Sequence, residues 1–212
     1  MREVKEHNIR KKEILDKAQA LFIKKGYSKT TINDILKAEG IAKGTFYHYF
    51  KSKEEVMDAL IMRFVSLSAE IIEAKANQPG KNAIEKMRDI DSVDYQSMHG
   101  INEVYLQLKH SNNAEMQYRI IVKTIRKISP IITRIIKQGV REGLFNTEYP
   151  QEFSEFLMVF SQFIFENDML GFSKEHIAQR AKAAASFMES ILGAKKGSLN
   201  FIAQRHIRAA KK

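Results

Sequence analysis

Residues 40–56 read GIAKGTFYHYFKSKEEV. Aromatic side chains usually seek a core and lysines seek water, yet this stretch interleaves them. A short second helix of a helix-turn-helix explains the mixture. Such a helix packs one face on its own domain and turns the other to DNA, with flanking groups on phosphates. Phe46 and Phe50, four apart, share the inward face. Gly44 allows close backbone approach. Thr45 and His48 carry short polar groups, and Tyr47 and Tyr49 carry hydroxyls on stiff rings. Lys43 and Lys53 bracket the segment with positive charge, and the start of the next helix offers free N–H groups to a phosphate.

The flanking sequence supplies the other helices. Ile14, Leu15, Ala18, Leu21 and Phe22 follow the period of an amphipathic helix, which Gly26 closes. Thr30 or Thr31 caps a short helix whose apolar side is Ile32, Ile35 and Leu36, and Gly40 breaks it. The third runs from Ala42 or Lys43 to about Tyr49. Ser52 caps a fourth, with Glu55 completing a capping box.

The 212-residue chain is 44% hydrophobic and 28% charged, enough apolar content for a packed core. It has no cysteine, which removes disulfides, thiolate nucleophiles and cysteine zinc sites. No apolar run reaches the length of a membrane span, and the N-terminus lacks a signal-peptide pattern. A soluble, cytoplasmic protein without membrane contact is the expectation. Of the net charge of +10, residues 1–56 carry +5, residues 57–192 carry −1 and residues 193–212 carry +6. A basic head on a near-neutral body suits a polyanion partner, the plain alternative being a solvated basic surface.

The six histidines are scattered, with no HExxH pair, and there is no Walker loop and no GxGxxG. No catalytic residue, metal ligand or cofactor is therefore expected, and the chain is not read as an enzyme. With three prolines and no sustained alternation, the body also reads as helix. Segments are expected at 82–90, 101–110, 114–142, 151–170 and 174–192, with a kink or split at Pro130. Residues 91–100 are ambiguous.

Residues 9 to about 60, which contain ILDKAQALFIKKGYSKTTINDILKAEGIAKGTFYHYFKSKEEV at 14–56, resemble the DNA-binding domain of TetR-family transcriptional regulators. The resemblance rests on Ala18, Leu21, Phe22, Gly26-Tyr27, Thr30-Thr31, Ile35, Gly40, Lys43 through Tyr47, Phe50 and Lys53-Glu54. A weaker echo is GVREGLF at 139–145. It implies an all-α homodimer with a three-helix DNA-binding domain at 1–53, an effector-binding and dimerisation domain at 54–192, and a basic tail at 193–212. It also implies a pseudo-palindromic operator contacted by Thr31, Lys43, Gly44, Thr45, Tyr47, His48, Tyr49 and Lys53. Ala42 departs from the serine many relatives carry, which removes a side-chain cap. Leu36 and Glu39 stand where alanine is common.

In the body, Phe153, Leu157, Phe160 and Ile164 form one stripe toward a core. Phe156, Val159 and Phe163 form another toward a second surface. Alanines 181 and 183–185 on the last helix are small enough for close helix approach. With the resemblance, this stripe and those of 153–164 are read as part of a four-helix dimer interface, the alternative being that they are monomer core. Tyr95, Met98, His99, Tyr105, Met116, Ile120, Phe160 and Phe163 are candidates for lining an effector pocket, ordinary core packing being the alternative for each. The tail is expected by default to be disordered, the alternatives being a fold-back on the body or added charge attraction for DNA. The resulting expectation is a repressor released from its operator by a small molecule. The alternatives are an activator, a ligand-independent regulator, or a helical protein-interaction module.

Overall fold

The computed structural model describes residues 2–93, 114–164 and 173–211. Among them all regular structure is helical: α1 (Arg2–Lys25), α2 (Ile32–Glu39), α3 (Lys43–Tyr49), α4 (Lys53–Ala76), α5 (Ala83–Asp91), α6 (Ala114–Arg141), α7 (Pro150–Ile164), α8 (Lys174–Leu192) and α9 (Asn200–Lys211). The expected all-α class is what forms. The expected helix at 101–110 lies outside the described residues. Contacts divide the chain into two compact units, Met1–Leu67 with Asp94–Ile120, and Ser68–Val93 with Ile121–Lys212. α4 passes through position 53/54 unbroken and contributes to both units.

In the first unit, Ile14, Leu15, Ala18 and Phe22 of α1 are buried with Ile35, Phe46, Phe50, Val56, Met57 and Leu60. Each fully buried large apolar side chain contributes about 1.5–3 kcal/mol. The turns between helices are built from local chemistry. Thr30, fully buried, donates its hydroxyl to the Gly26 carbonyl at 2.8 Å. The Thr31 hydroxyl accepts the Asp34 N–H at 3.1 Å, and the Asp34 carboxylate accepts the Thr31 N–H at 2.9 Å, a complete capping box. Gly40 closes α2 at φ 70°, a left-handed position that a Cβ makes costly. Ser52 accepts the Glu55 N–H at 3.2 Å, while the Glu55 carboxylate reaches one residue further back than expected, to the Lys51 N–H at 2.6 Å.

The second unit centres on α6, whose Ile128, Ile131, Ile132, Ile135 and Ile136 are buried against Phe145, Phe153, Met188, Leu192 and Leu199. α6 continues through Pro130 as one helix rather than splitting. The 139–145 echo has a packing cause. A methyl added at Gly139 would collide with the Phe145 ring and press on Ala83 at 3.0 Å.

On α7 the two-stripe reading holds where side chains are described. Phe153 is buried, Leu157 and Phe160 pack on the core, and Phe156 and Val159 stay exposed. The alanine reading is corrected. Ala181, Ala184 and Ala185 are 0%, 3% and 1% exposed, and Ala181 and Ala185 cluster with Ala203 of α9. These three small residues pack within the chain, Ala181 and Ala185 against its own tail, so they are not a free face for a partner, while Ala183 is exposed. The default expectation of a disordered tail is corrected with it. Leu199 and Ile202 enter the core, and the buried Glu189 carboxylate accepts the N–H groups of Gly197 and Leu199 at 2.9 and 2.8 Å. Those bonds satisfy backbone donors that burial would otherwise leave unpaired.

Candidate nucleic-acid interface

α2, the turn at Gly40 and α3 form a helix-turn-helix, and α1 and α4 complete the core beneath it. Phe46 is fully buried and Phe50 nearly so, which fixes the inner face of α3. Its other face carries Lys43, Gly44, Tyr47 and His48, all exposed, with Thr45 and Tyr49 half-buried at its edges. The Lys43 ammonium lies 5.9 Å from the Tyr47 ring centre, and Phe46 meets Tyr47 edge-on at 5.5 Å. Ala42, the N-cap, makes no side-chain bond to the helix. A Cβ built on Gly44 meets nothing within 4 Å, so the protein's own packing does not demand glycine there.

Two residues expected at this surface are already engaged. The Thr31 hydroxyl is committed to its capping box with Asp34. The Lys53 ammonium donates to the carbonyls of Tyr27 and Thr30, each at 2.9 Å, and sits 4.3 Å from the Tyr27 ring centre. Its charge therefore helps to tie the α1–α2 turn to the start of α4.

The titration of the neighbouring groups follows from the same contacts. Burial pushes the Tyr27 hydroxyl up to about 12, helped by the Glu54 carboxylate to which it donates at 3.3 Å. Asp34 is held well below the usual carboxylate range by its bond from Lys25, then by the Thr31 N–H and hydroxyl. Glu54 is lowered by backbone hydrogen bonding at its own N–H, then by Ser52.

Sequence reading missed contacts from the first turns of α1. His7 lies 4.6 Å from the Tyr49 ring and 5.5 Å from that of His48, and Lys11 lies 5.3 Å from the Phe50 ring centre. The signal was available, because His7, Lys11, Ile14 and Ala18 continue one helical stripe upstream.

Of the effector-pocket candidates, Ile120 and Phe160 have described side chains. Tyr95, Met98, His99 and Tyr105 lie outside the described residues, as do the side chains of Met116 and Phe163. Ile120 is buried in the first unit's core, and Phe160 packs on the second unit's core. An open polar cleft of about 590 Å³ lies in the second unit around the turn after α4, lined by Ala76 through Asn82 with Lys86, Gln138 and Glu142. It contains none of the candidates. Among the described residues no helix is long and apolar enough to cross a membrane, and no cluster of His, Asp and Glu is placed to hold a metal ion.

A short helix held by two buried phenylalanines, with a basic, aromatic and glycine-bearing outer face, defines a helix-turn-helix DNA-binding protein. Residues 14–60 match the family model described as bacterial regulatory proteins, tetR family, and residues 99–189 match the one described as tetracyclin repressor-like, C-terminal domain. Together these cover well over half of the chain. The chain belongs to the TetR family and is a DNA-binding transcriptional regulator. It is 25% identical over 148 residues to the HTH-type transcriptional repressor KstR2 of Mycobacterium tuberculosis, covering 66% of this chain and 72% of that one. It is 27% identical over 139 residues to the fatty acid metabolism regulator protein of Bacillus subtilis, covering 62% and 68%. Among solved structures, the SmeT–triclosan complex aligns at a TM-score of 0.60 with 18% identity, covering 90% of this chain and 94% of that chain. SmeT is the repressor of a Stenotrophomonas maltophilia multidrug efflux pump.

Proposed function

We propose that this chain is a homodimeric repressor that holds a pseudo-palindromic operator and is released from it by a small molecule. The observation that carries the DNA-contact assignment is the outer face of α3. Lys43, Gly44, Tyr47 and His48 are exposed there, and Gly44 has open space where a side chain would stand. Glycine at that point serves the approach of something outside the protein. Thr45 and Tyr49 flank the face. Thr31 and Lys53 act in this reading mainly by fixing the geometry of the turn and the start of α4, each able to add a phosphate contact.

The division of labour places DNA binding in residues 1–53 and effector binding with dimerisation in 54–192, with the 193–212 tail closing over the second part. Dimerisation is supported by exposed apolar side chains on the last long helices. Phe156 on α7 is 70% exposed, and Phe187 and Ile191 on α8 are 58% and 44% exposed. Large exposed apolar groups call for a cover. A dimer would set two α3 helices against successive major grooves, about 34–36 Å apart. Repression draws support from KstR2, which is named a repressor, and release by a ligand draws support from SmeT, whose complex holds triclosan. A ligand that binds the released state better shifts the equilibrium by its differential affinity.

The test is a selection of bound fragments from the source genome with full-length protein at near-physiological salt. A shared inverted repeat is the expected result, and a reporter placed behind it then reads the sign of regulation. Retention that is salt-sensitive but blind to sequence would overturn the operator assignment.

A further inference from the structure

We propose that the start of α1 belongs to the DNA-reading surface, with His7 as the residue that positions His48 and Tyr49 at the far end of α3. The inference rests on the operator-binding reading above. Its basis is a three-ring cluster. His7 stands 4.6 Å from Tyr49 at an interplanar angle of 36°, and 5.5 Å from His48 at 81°. His48 and Tyr49 meet edge-on at 5.0 Å and 88°. Each ring touches both of the others, in the separations at which aromatic pairs attract.

Tyr49 also rests on the edge of the first unit's core, which leaves the exposed His48 as the ring whose placement depends most on the cluster. Neither His48 nor Tyr49 has a side-chain hydrogen bond among the described residues, and α3 has only seven residues with no side-chain N-cap. Phe46 fixes the middle of the helix and Tyr49 rests on the core, so the exposed His48 ring of the last turn is set by its contacts with His7 and Tyr49. His7 is itself exposed and belongs to neither large core cluster. It also precedes the family-matched segment, which begins at residue 14. An exposed ring packed on two side chains of a reading helix adds little to the core, and it restricts the rotamers those side chains bring to DNA. Ordering side chains before the partner arrives lowers the cost of binding and sharpens the preference for one base pattern over another. Lys11, one turn on, covers the Phe50 ring from the same side of α1.

The experiment measures affinity of the full-length protein for its genome-selected operator and for a scrambled duplex, by fluorescence anisotropy. His7→Ala is expected to weaken operator binding by about fivefold, within the range of coupling between contacting side chains. Scrambled-duplex affinity and the melting midpoint should stay unchanged. His7→Gln, which keeps a polar helix-compatible side chain but no ring, should lose as much. His7→Phe, which restores a ring, should recover most of the loss. In the cycle with His48→Ala, the loss in the double variant should be clearly smaller than the sum of the two single losses. A repeat of the fragment selection with His7→Ala should relax base preference at the positions under the end of α3. Wild-type affinity in both His7→Ala and His7→Gln, or strictly additive losses in the cycle, would overturn the positioning role while leaving the operator reading intact. A wild-type protein that fails to distinguish operator from scrambled duplex overturns both.

Discussion

The Lys53 ammonium stands 4.3 Å from the centre of the Tyr27 ring while donating to the Tyr27 and Thr30 carbonyls at 2.9 Å each. One side chain at the start of α4 thereby satisfies two carbonyls of the turn that separates α1 from α2. Hydrogen bonds to charged groups contribute about 1.5–3 kcal/mol and a partly desolvated cation–π contact about 0.5–2 kcal/mol, not additively. Lys53→Met keeps the aliphatic stem and removes the charge. It should lower stability by about 1–3 kcal/mol in urea unfolding. A DNA contact alone would leave the urea midpoint where it is and lower only operator affinity.

Tyr27 gives this turn an alkaline limit. Its hydroxyl is pushed up to about 12 by burial and by Glu54, against an ordinary value of 10.0. A folded-state value raised above the unfolded one stabilises fully below the unfolded value and is lost as pH rises through the folded value. The affected window is therefore about pH 10 to 12. Tyr27→Phe should be less stable than wild type at neutral pH, because it loses the bond to Glu54. The gap should close through that window, because the variant has no hydroxyl to ionise. Urea midpoints measured at intervals from pH 8 upward check this. A gap that stays constant would refute the assignment.

The helix-turn-helix was legible because local chemistry specifies it. A threonine cap on α2, Gly40, and Phe46 with Phe50 are each a near-neighbour device with one geometric outcome. Each forms as read, with Thr31 as the capping threonine and Asp34 adding a reciprocal bond that the reading did not name. Contacts across longer sequence distances were less legible. Nothing in Lys53 alone says that it will point at Tyr27 rather than at a phosphate. The alanines of α8 signal close helix approach correctly, but small residues do not name the helix that approaches. Here it is α9, drawn in by Leu199 and Ile202 and held by the buried carboxylate of Glu189. Aromatic and Met side chains chosen as pocket candidates share the composition of ordinary core, and Ile120 and Phe160 are placed as core.

The burial of Ala184 changes which substitutions test dimerisation. Ala184 is 3% exposed, so Ala184→Glu would bury a carboxylate in the second unit's core and should unfold that unit, whatever the oligomeric state. Phe156 and Phe187 are 70% and 58% exposed. Phe156→Glu and Phe187→Glu should leave the melting curve of isolated chains nearly unchanged, since neither ring supports the monomer's core. If these faces pair, each should move the mass measured by light scattering from dimer toward monomer and weaken operator binding together with it. Variants that remain dimeric at low micromolar concentration would place the interface elsewhere.

Gly44 separates folding from DNA binding more cleanly than any charged residue. Charge removal weakens binding to every duplex through counterion release, so it reports little about fit. Gly44 lies inside α3 and a Cβ there meets no protein atom within 4 Å. Alanine is favoured over glycine in a helix by about 0.8–1.0 kcal/mol. Gly44→Ala should therefore raise stability by up to about 1 kcal/mol. If DNA occupies the open space, the added methyl should lower operator affinity by tenfold or more, about 1.4 kcal/mol, while the salt slope stays the same because no charge has changed. Urea unfolding and anisotropy at three salt concentrations give both readings. A variant that is more stable and binds its operator as tightly as wild type would move the closest backbone approach away from Gly44.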